Sequence, residues 1–260
     1  MGGGIWMIYK RFAANLRAQN WFAIAIELAI VVSGVFIGTW VANWNTQRVE
    51  QAETRRMLVQ LEPSMELLQQ YFDSARSYYA VTRGYAAVAQ AGWARDPSVN
   101  DSDFVIAAYQ ASQIMGIGTN GLAWAEVLGA DRLREIDNAE LRTDLATLMS
   151  SDYAIIDTPA VDTPYRRNVR RLIPIALQEV VRERCGDQPP TFPNYFPSLP
   201  AHCRLKLPPT EAAAAANKLR QHPEVLDDLQ WHMGAQSALL GNFGPFEAAT
   251  RRVRTLLNQA

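Results

Sequence analysis

Residues 21–44, WFAIAIELAIVVSGVFIGTWVANW, decide the architecture of this chain. Glu27 is the one formally charged residue in them, and no later segment is comparably long and apolar. A helix rising ~1.5 Å per residue reaches ~36 Å over this stretch, enough to cross a ~30 Å hydrocarbon core with some tilt. Trp21, Trp40 and Trp44 stand near its ends, where indole rings favour the membrane interface. The stretch reads as a single transmembrane helix. It reads as a retained signal anchor, because the run is longer than the ~7–15-residue core of a cleaved signal peptide and no small-residue cleavage site follows.

The span carries a polar pattern of its own. Glu27, Gly34, Gly38 and Asn45 are spaced 7, 4 and 7 apart, which at ~100° per residue places them in one narrow stripe. Gly34 and Gly38 form a small-xxx-small pair that lets a second helix come close. A carboxyl in the membrane is costly and faces protein or water rather than lipid. Two readings follow: a face that docks on another transmembrane helix, or a glycine pair of the ordinary kind with Glu27 close enough to the end to reach headgroups. On the docking reading the partners are an integral membrane protein complex or a second copy of the chain, with the lipid bilayer around them.

Orientation rests on length more than on charge. Lys10, Arg11 and Arg17 precede the span with no acid among them, and Arg48, Arg55 and Arg56 follow it. Counted as Lys and Arg, the two sides tie. Long domains translocate largely regardless of charge, so the acid-free lead-in is expected in the cytoplasm and about 215 residues in the periplasm, with the span in a bacterial inner membrane. Residues 1–20 read as a short amphipathic lead-in with Ile5, Ile8, Tyr9, Phe12 and Leu16 at helical spacing, suited to lie on the inner leaflet. The formal net charge of −1 points to no nucleic-acid partner.

Residues 45–260 read as one helical domain. Met57, Leu61, Met65, Leu68, Phe72, Ala75 and Tyr79 follow 4-4-3-4-3-4 spacing, a sustained apolar seam that Pro63 interrupts without shifting its phase. The proline implies a kink or a restart. The same helix is expected to run on towards Trp93 and stop in GWARDPSVNDSD. A second helix is expected over Asp103–Met115, before GIGTNG, which follows no strand and lacks the ending of a phosphate-binding loop. Asp137 reads as an N-cap with Glu140 three residues on, and Ile136 with Leu141 as the matching staple.

Two segments carry a family resemblance. Ala25–Asn45, AIELAIVVSGVFIGTWVANWN, has an acid near the start of the anchor, glycines within it and a tryptophan-asparagine exit. Ala123–Leu145, AWAEVLGADRLREIDNAELRTDL, contains a short helix, a turn and an I-x-x-x-x-L-R run. Together they resemble an uncharacterised bacterial family of single-pass, membrane-anchored proteins with a helical domain of unknown function. The resemblance implies that architecture and carries over no catalytic or ligand residue. Thr39-Trp40 departs from the more aliphatic residues of the family.

Prolines at 159, 164 and 174 are expected to bend or restart the helical pattern that reaches Cys185. Within it Arg166, Arg167, Arg170 and Arg171 bracket one turn, and i, i+4 spacing stacks them in pairs. They form either a patch for lipid phosphate or an acidic partner, or a solvated face balanced by neighbouring carboxylates. Residues 185–210 hold seven of the 14 prolines and both cysteines. So many prolines exclude helix, and in an oxidising compartment Cys185 and Cys203 are expected to close the excursion as a disulfide. A metal site from Cys185, His202, Cys203 and His222 is the alternative, disfavoured by the adjacent His202-Cys203 and the lack of C-x-x-C. Beyond it EAAAAANKLR is a strong helix former, and a last helical stripe runs to Leu257 with a bend at Gly244-Pro245.

The fold class is therefore all-α: one transmembrane helix continuing into a helical bundle with a proline-rich loop. No catalytic, cofactor or metal pattern is legible, and His202, His222 and His232 have no recognisable role. The expected function is that of a non-enzymatic, inner-membrane-anchored accessory or scaffold protein. A periplasmic ligand-sensing or solute-binding helical domain that signals through a partner is the alternative.

Overall fold

The apolar stretch and the Met57–Tyr79 seam belong to one α-helix, α1 (Trp21–Trp93), 73 residues long. The computed structural model describes residues 21–118, 128, 132–160 and 162–259. The expected lead-in at 1–20 and most of Ala123–Asp131 lie outside them. Seven α-helices fill the described residues, with no strand among them. After α1 come α2 (Asp101–Ala111), α3 (Ala139–Ser150), α4 (Pro164–Leu172), α5 (Ile175–Cys185), α6 (Pro209–Arg220) and α7 (Glu224–Leu257). The chain divides into two units, Met1–Thr54 and Arg55–Ala260.

In the first unit, residues 25–53 of α1 are exposed at every position. The Thr39 hydroxyl donates back within the helix to the carbonyl oxygens of Val35 and Phe36, both at 3.0 Å, so a polar group in an apolar run is satisfied locally. Trp40 and Trp44 stack with ring centroids 6.4 Å apart, and the Arg48 guanidinium lies 4.4 Å from the Trp44 ring.

The second unit is built on the rest of α1. All seven seam residues are buried, as their spacing predicts. Helix α7 lies antiparallel along them: Arg254 meets Glu62, Glu247 meets Arg76, and Gln236 meets Thr82, the numbers falling in α7 as they rise in α1. Tyr71, Phe72 and Phe243 bring their rings together across this pair, at centroid distances of 5.0 to 5.8 Å. Pro63 does not restart α1, nor does Gly244-Pro245 divide α7; both helices run through. Each proline removes one helical N–H, but Pro63 with Val59 and Pro245 with Gly241 are exposed, so the carbonyls left without a donor face water.

Helix ends follow local side-chain chemistry. Arg95, at φ 58°, ends α1 in the left-handed region, with Asp96 N donating to Ala91 O (2.9 Å) and Arg95 N to Gly92 O (3.3 Å). Helix α2 spans Asp101–Ala111 rather than the expected Asp103–Met115. Asn100 Oδ1 accepts from Asp103 N at 2.9 Å and fixes the start; the Ser112 hydroxyl turns back to Tyr109 O at 2.7 Å and marks the stop. Phe104 through Ala111 are all buried, as suits a helix apolar on every side. The N-cap of α3 is Asn138, not Asp137: its Oδ1 accepts from Glu140 N and Leu141 N at 3.0 and 3.1 Å. Glu140 thus falls one place short of the capping-box position.

Irregular segments are tied to α1 by tyrosines. The Tyr71 hydroxyl donates to Ile156 O and accepts from Thr158 N, Tyr78 donates to Asp187 (2.6 Å), and Tyr85 donates to Pro200 O (2.8 Å). Buried backbone that lacks a helix is paired in this way. Residues 186–208 are free of helix, as their prolines dictate, and contain one isolated antiparallel bridge, Gln188–Ser198.

Candidate functional site

Helical periodicity puts Glu27, Gly34, Gly38 and Asn45 within about 40° of arc on α1. A Cβ added at Gly34 or at Gly38 would meet nothing within 4 Å, so neither glycine is needed for packing inside the chain. On the flanks, Ile30, Val31, Val35 and Val41 are exposed. Phe36 lies on the reverse face and is also exposed, so apolar side chains face outward on both sides of the helix. The described helix is long and apolar enough to cross a membrane. What distinguishes the stripe is two backbone surfaces open to close approach, bracketed by a carboxyl and an amide able to hydrogen-bond across a helix contact.

The four arginines of α4 separate into two pairs. Arg166 Nη1 donates to Ser112 O at 2.7 Å, and Arg170 reaches Gln113 Oε1 (2.9 Å) and Ser112 Oγ (3.4 Å). Both sit at the C-terminal end of α2, where cations complement the helix dipole. Arg167 turns outward to Asp162 (2.9 Å), and Arg171 to Asn168 on its own helix. The four do not share one face: Arg166 and Arg170 turn to the end of α2, and Arg167 and Arg171 face solvent.

Cys185 and Cys203 are at disulfide distance, their Cα atoms 5.5 Å apart. Gln110, buried on α2, donates to the carbonyl of Cys185 and ties that end of the excursion to the core. Among the described residues no cluster of three or more His, Cys, Asp or Glu is arranged to hold a metal ion. Of the proposed metal alternative, His222 lies 2.7 Å from Glu224 and His202 is exposed.

His232 does acquire a role. It is fully buried, with Nδ1 2.7 Å from Thr163 Oγ1 and Nε2 3.0 Å from Gln236 Nε2, while Gln236 Oε1 accepts from the Thr82 hydroxyl at 3.2 Å. Burial pushes the imidazole down to about 4, so the ring is neutral at pH 7, and Nε2 accepts from the amide. The sequence signal for this network was the spacing His232–Gln236, i, i+4 on the buried side of α7; its partners on α1 and ahead of α4 are distant in sequence.

A groove of about 950 Å³ among the described residues is lined by Asn100–Asp103, Cys203–Pro209 and Ala212. Asn100 caps α2, Asp101 pairs with Arg220 at 2.7 Å, and Ser102 accepts from Leu207 N at 3.0 Å, while Arg204 and Lys206 are exposed. No protein family, curated protein or solved structure matches the chain.

Proposed function

We propose that this protein is a non-enzymatic, membrane-anchored accessory or scaffold protein that docks on an integral membrane partner, or on a second copy of itself, through the Glu27–Gly34–Gly38–Asn45 stripe and its helical domain. In this reading α1 crosses a bacterial inner membrane, residues 1–20 stay in the cytoplasm, and Arg55–Ala260 form a periplasmic helical bundle. It is the architecture that the resemblance of Ala25–Asn45 implies. The observation that carries the reading is the open backbone at Gly34 and Gly38 on a helix exposed from 25 to 53. Small residues there favour association because, in lipid, packing rather than hydrophobicity drives helices together. A sensing domain would need a pocket of converging, unengaged polar groups, and in the groove at Asn100–Asp103 the Asn100, Asp101 and Ser102 side chains are satisfied within the fold, leaving the exposed Arg204 and Lys206.

Purification in mild detergent, with mass spectrometry of what co-elutes, tests it. Gly34→Leu and Gly38→Leu should each lose the partner while inserting normally, since leucine is itself favourable in lipid. Phe36→Leu, on the reverse face, should retain it. Wild-type recovery of the partner with both glycine variants would leave the span a plain anchor.

A further inference from the structure

Three guanidinium groups meet where α2 ends. Arg166 and Arg170 both reach Ser112. Arg170 lies over the Tyr109 ring, 5.0 Å from its centroid, and Arg182 of α5 approaches the hydroxyl of that same tyrosine at 3.4 Å. Every partner in this set is neutral: a backbone carbonyl, two hydroxyls, an amide oxygen and an aromatic face. None of the three arginines forms an ion pair among the described residues, whereas Arg76, Arg167, Arg220, Arg252 and Arg254 all do. Asp187, whose field reaches Tyr78 together with that of Arg166, is held by the Tyr78 hydroxyl at 2.6 Å.

This arrangement is costly as it stands. Arg170 is withdrawn from solvent, and burial first, then the like charges of Arg166 and Arg182, lower its proton affinity. The dipole at the end of α2 offsets a fraction of one charge, not three. We propose that Arg166, Arg170 and Arg182 form a binding site for a phosphate-type oxyanion. The chemistry selects the class. A single carboxylate offers two oxygens in one plane, while three planar forks from two helices match the several oxygens and double charge of a tetrahedral phosphate. The recessed position of Arg170 requires a compact, multiply charged group. A free phosphate and a phosphomonoester headgroup of a lipid share that chemistry.

The test uses the full chain in a neutral detergent, with thermal unfolding followed at constant ionic strength. Inorganic phosphate, balanced against chloride, should stabilise the wild type saturably. Arg182→Gln, an exposed position that leaves folding intact, should weaken the apparent affinity about tenfold, the loss expected for a charge-assisted hydrogen bond. Arg170→Gln should weaken it further, and Arg167→Gln, on the outward face of the same helix, should match the wild type. Mixed micelles carrying phosphatidate form the second arm. Stabilisation by phosphatidate with the same dependence on Arg182, and at lower concentration than inorganic phosphate, assigns the lipid source; a response to inorganic phosphate alone assigns the soluble one. Should neither probe give a response that Arg182→Gln reduces, the proposal is overturned, and the three arginines serve only the end of α2.

Discussion

His232 shows how much one buried side chain ties together. Its ring stands against Tyr165 at 5.5 Å between centroids, with Thr163 on one nitrogen and Gln236 on the other. Arg166 lowers its proton affinity further, and Asp162 with the Ala111 backbone raises it, but desolvation leads. The folded value of about 4 lies below the ordinary 6.5, so as pH falls the unfolded chain takes up the proton first. Stability from this group is complete above pH 6.5 and is lost progressively down to pH 4, on the order of 3 kcal/mol in all. Urea unfolding from pH 7 to pH 4 should show that loss in the wild type. His232→Gln, which keeps hydrogen-bonding capacity without a titrating ring, should be less stable at pH 7 and flatter across the window. An unchanged pH slope in the variant would mean that the acid sensitivity resides in the carboxylates instead. Arg95 is the opposite kind of residue, exposed and strained rather than buried and satisfied: a left-handed position filled by a side chain where glycine is the usual choice.

At the scale of elements, the proline-rich excursion is held at both ends and at its middle. Cys185 and Cys203 bring the ends within bonding distance, the Gln188–Ser198 bridge narrows the neck, and Phe196 is buried against the Tyr71 ring, 5.6 Å away. Phe192, at the tip, remains 83 % exposed. A disulfide across a separation of 18 residues contributes on the order of 3 kcal/mol by constraining the unfolded chain. Non-reducing peptide mapping should recover the two cysteines as one cross-linked pair, and Cys203→Ser should lower stability by about that amount. Both thiols alkylating in the native, unreduced protein would dispose of the cross-link. Much of this level is legible in the residues themselves. The Met57–Tyr79 seam admits one helical face, the apolar run from Trp21 makes one long helix, and the prolines forbid helix after Cys185. Legibility ends where a choice depends on distant partners. Asp137 and Asn138 are adjacent and chemically alike as caps, so the residues alone do not say which of them accepts from Glu140 and Leu141. The division of the α4 arginines into an inward and an outward pair depends on where α2 stops, which Ser112 determines from more than fifty residues away. The glycine stripe is legible as a pattern, because it lies within one helix; the arginine triad is not, because it draws on α4, α5 and the end of α2.

For the whole molecule, the proposed periplasmic placement of Arg55–Ala260 rests on more than the flanking charges. Lys10, Arg11 and Arg17 on one side balance Arg48, Arg55 and Arg56 on the other, and Glu50 and Glu53 weigh little in such counts. Two independent arguments favour the periplasm. A long domain translocates largely regardless of nearby charge. The second argument is redox chemistry: the chain has 2 cysteines, and the fold brings both together at 5.5 Å between Cα atoms, an arrangement that persists as a bond only where the surroundings are oxidising. The two arguments fail separately, so a combined measurement is informative. A reporter that requires disulfide formation, fused after Ala260, should be active, and a reporter that folds only in the cytoplasm should be dark. In the same cells, a membrane-impermeant thiol reagent should label Cys185 and Cys203 only after reduction. Should the cytoplasmic reporter light up and both thiols prove free in the native protein, the orientation is reversed. The proposed docking stripe would survive that reversal, since Gly34 and Gly38 lie within the apolar run whichever way it is threaded, but soluble contacts of the proposed partner would then have to be sought in the cytoplasm.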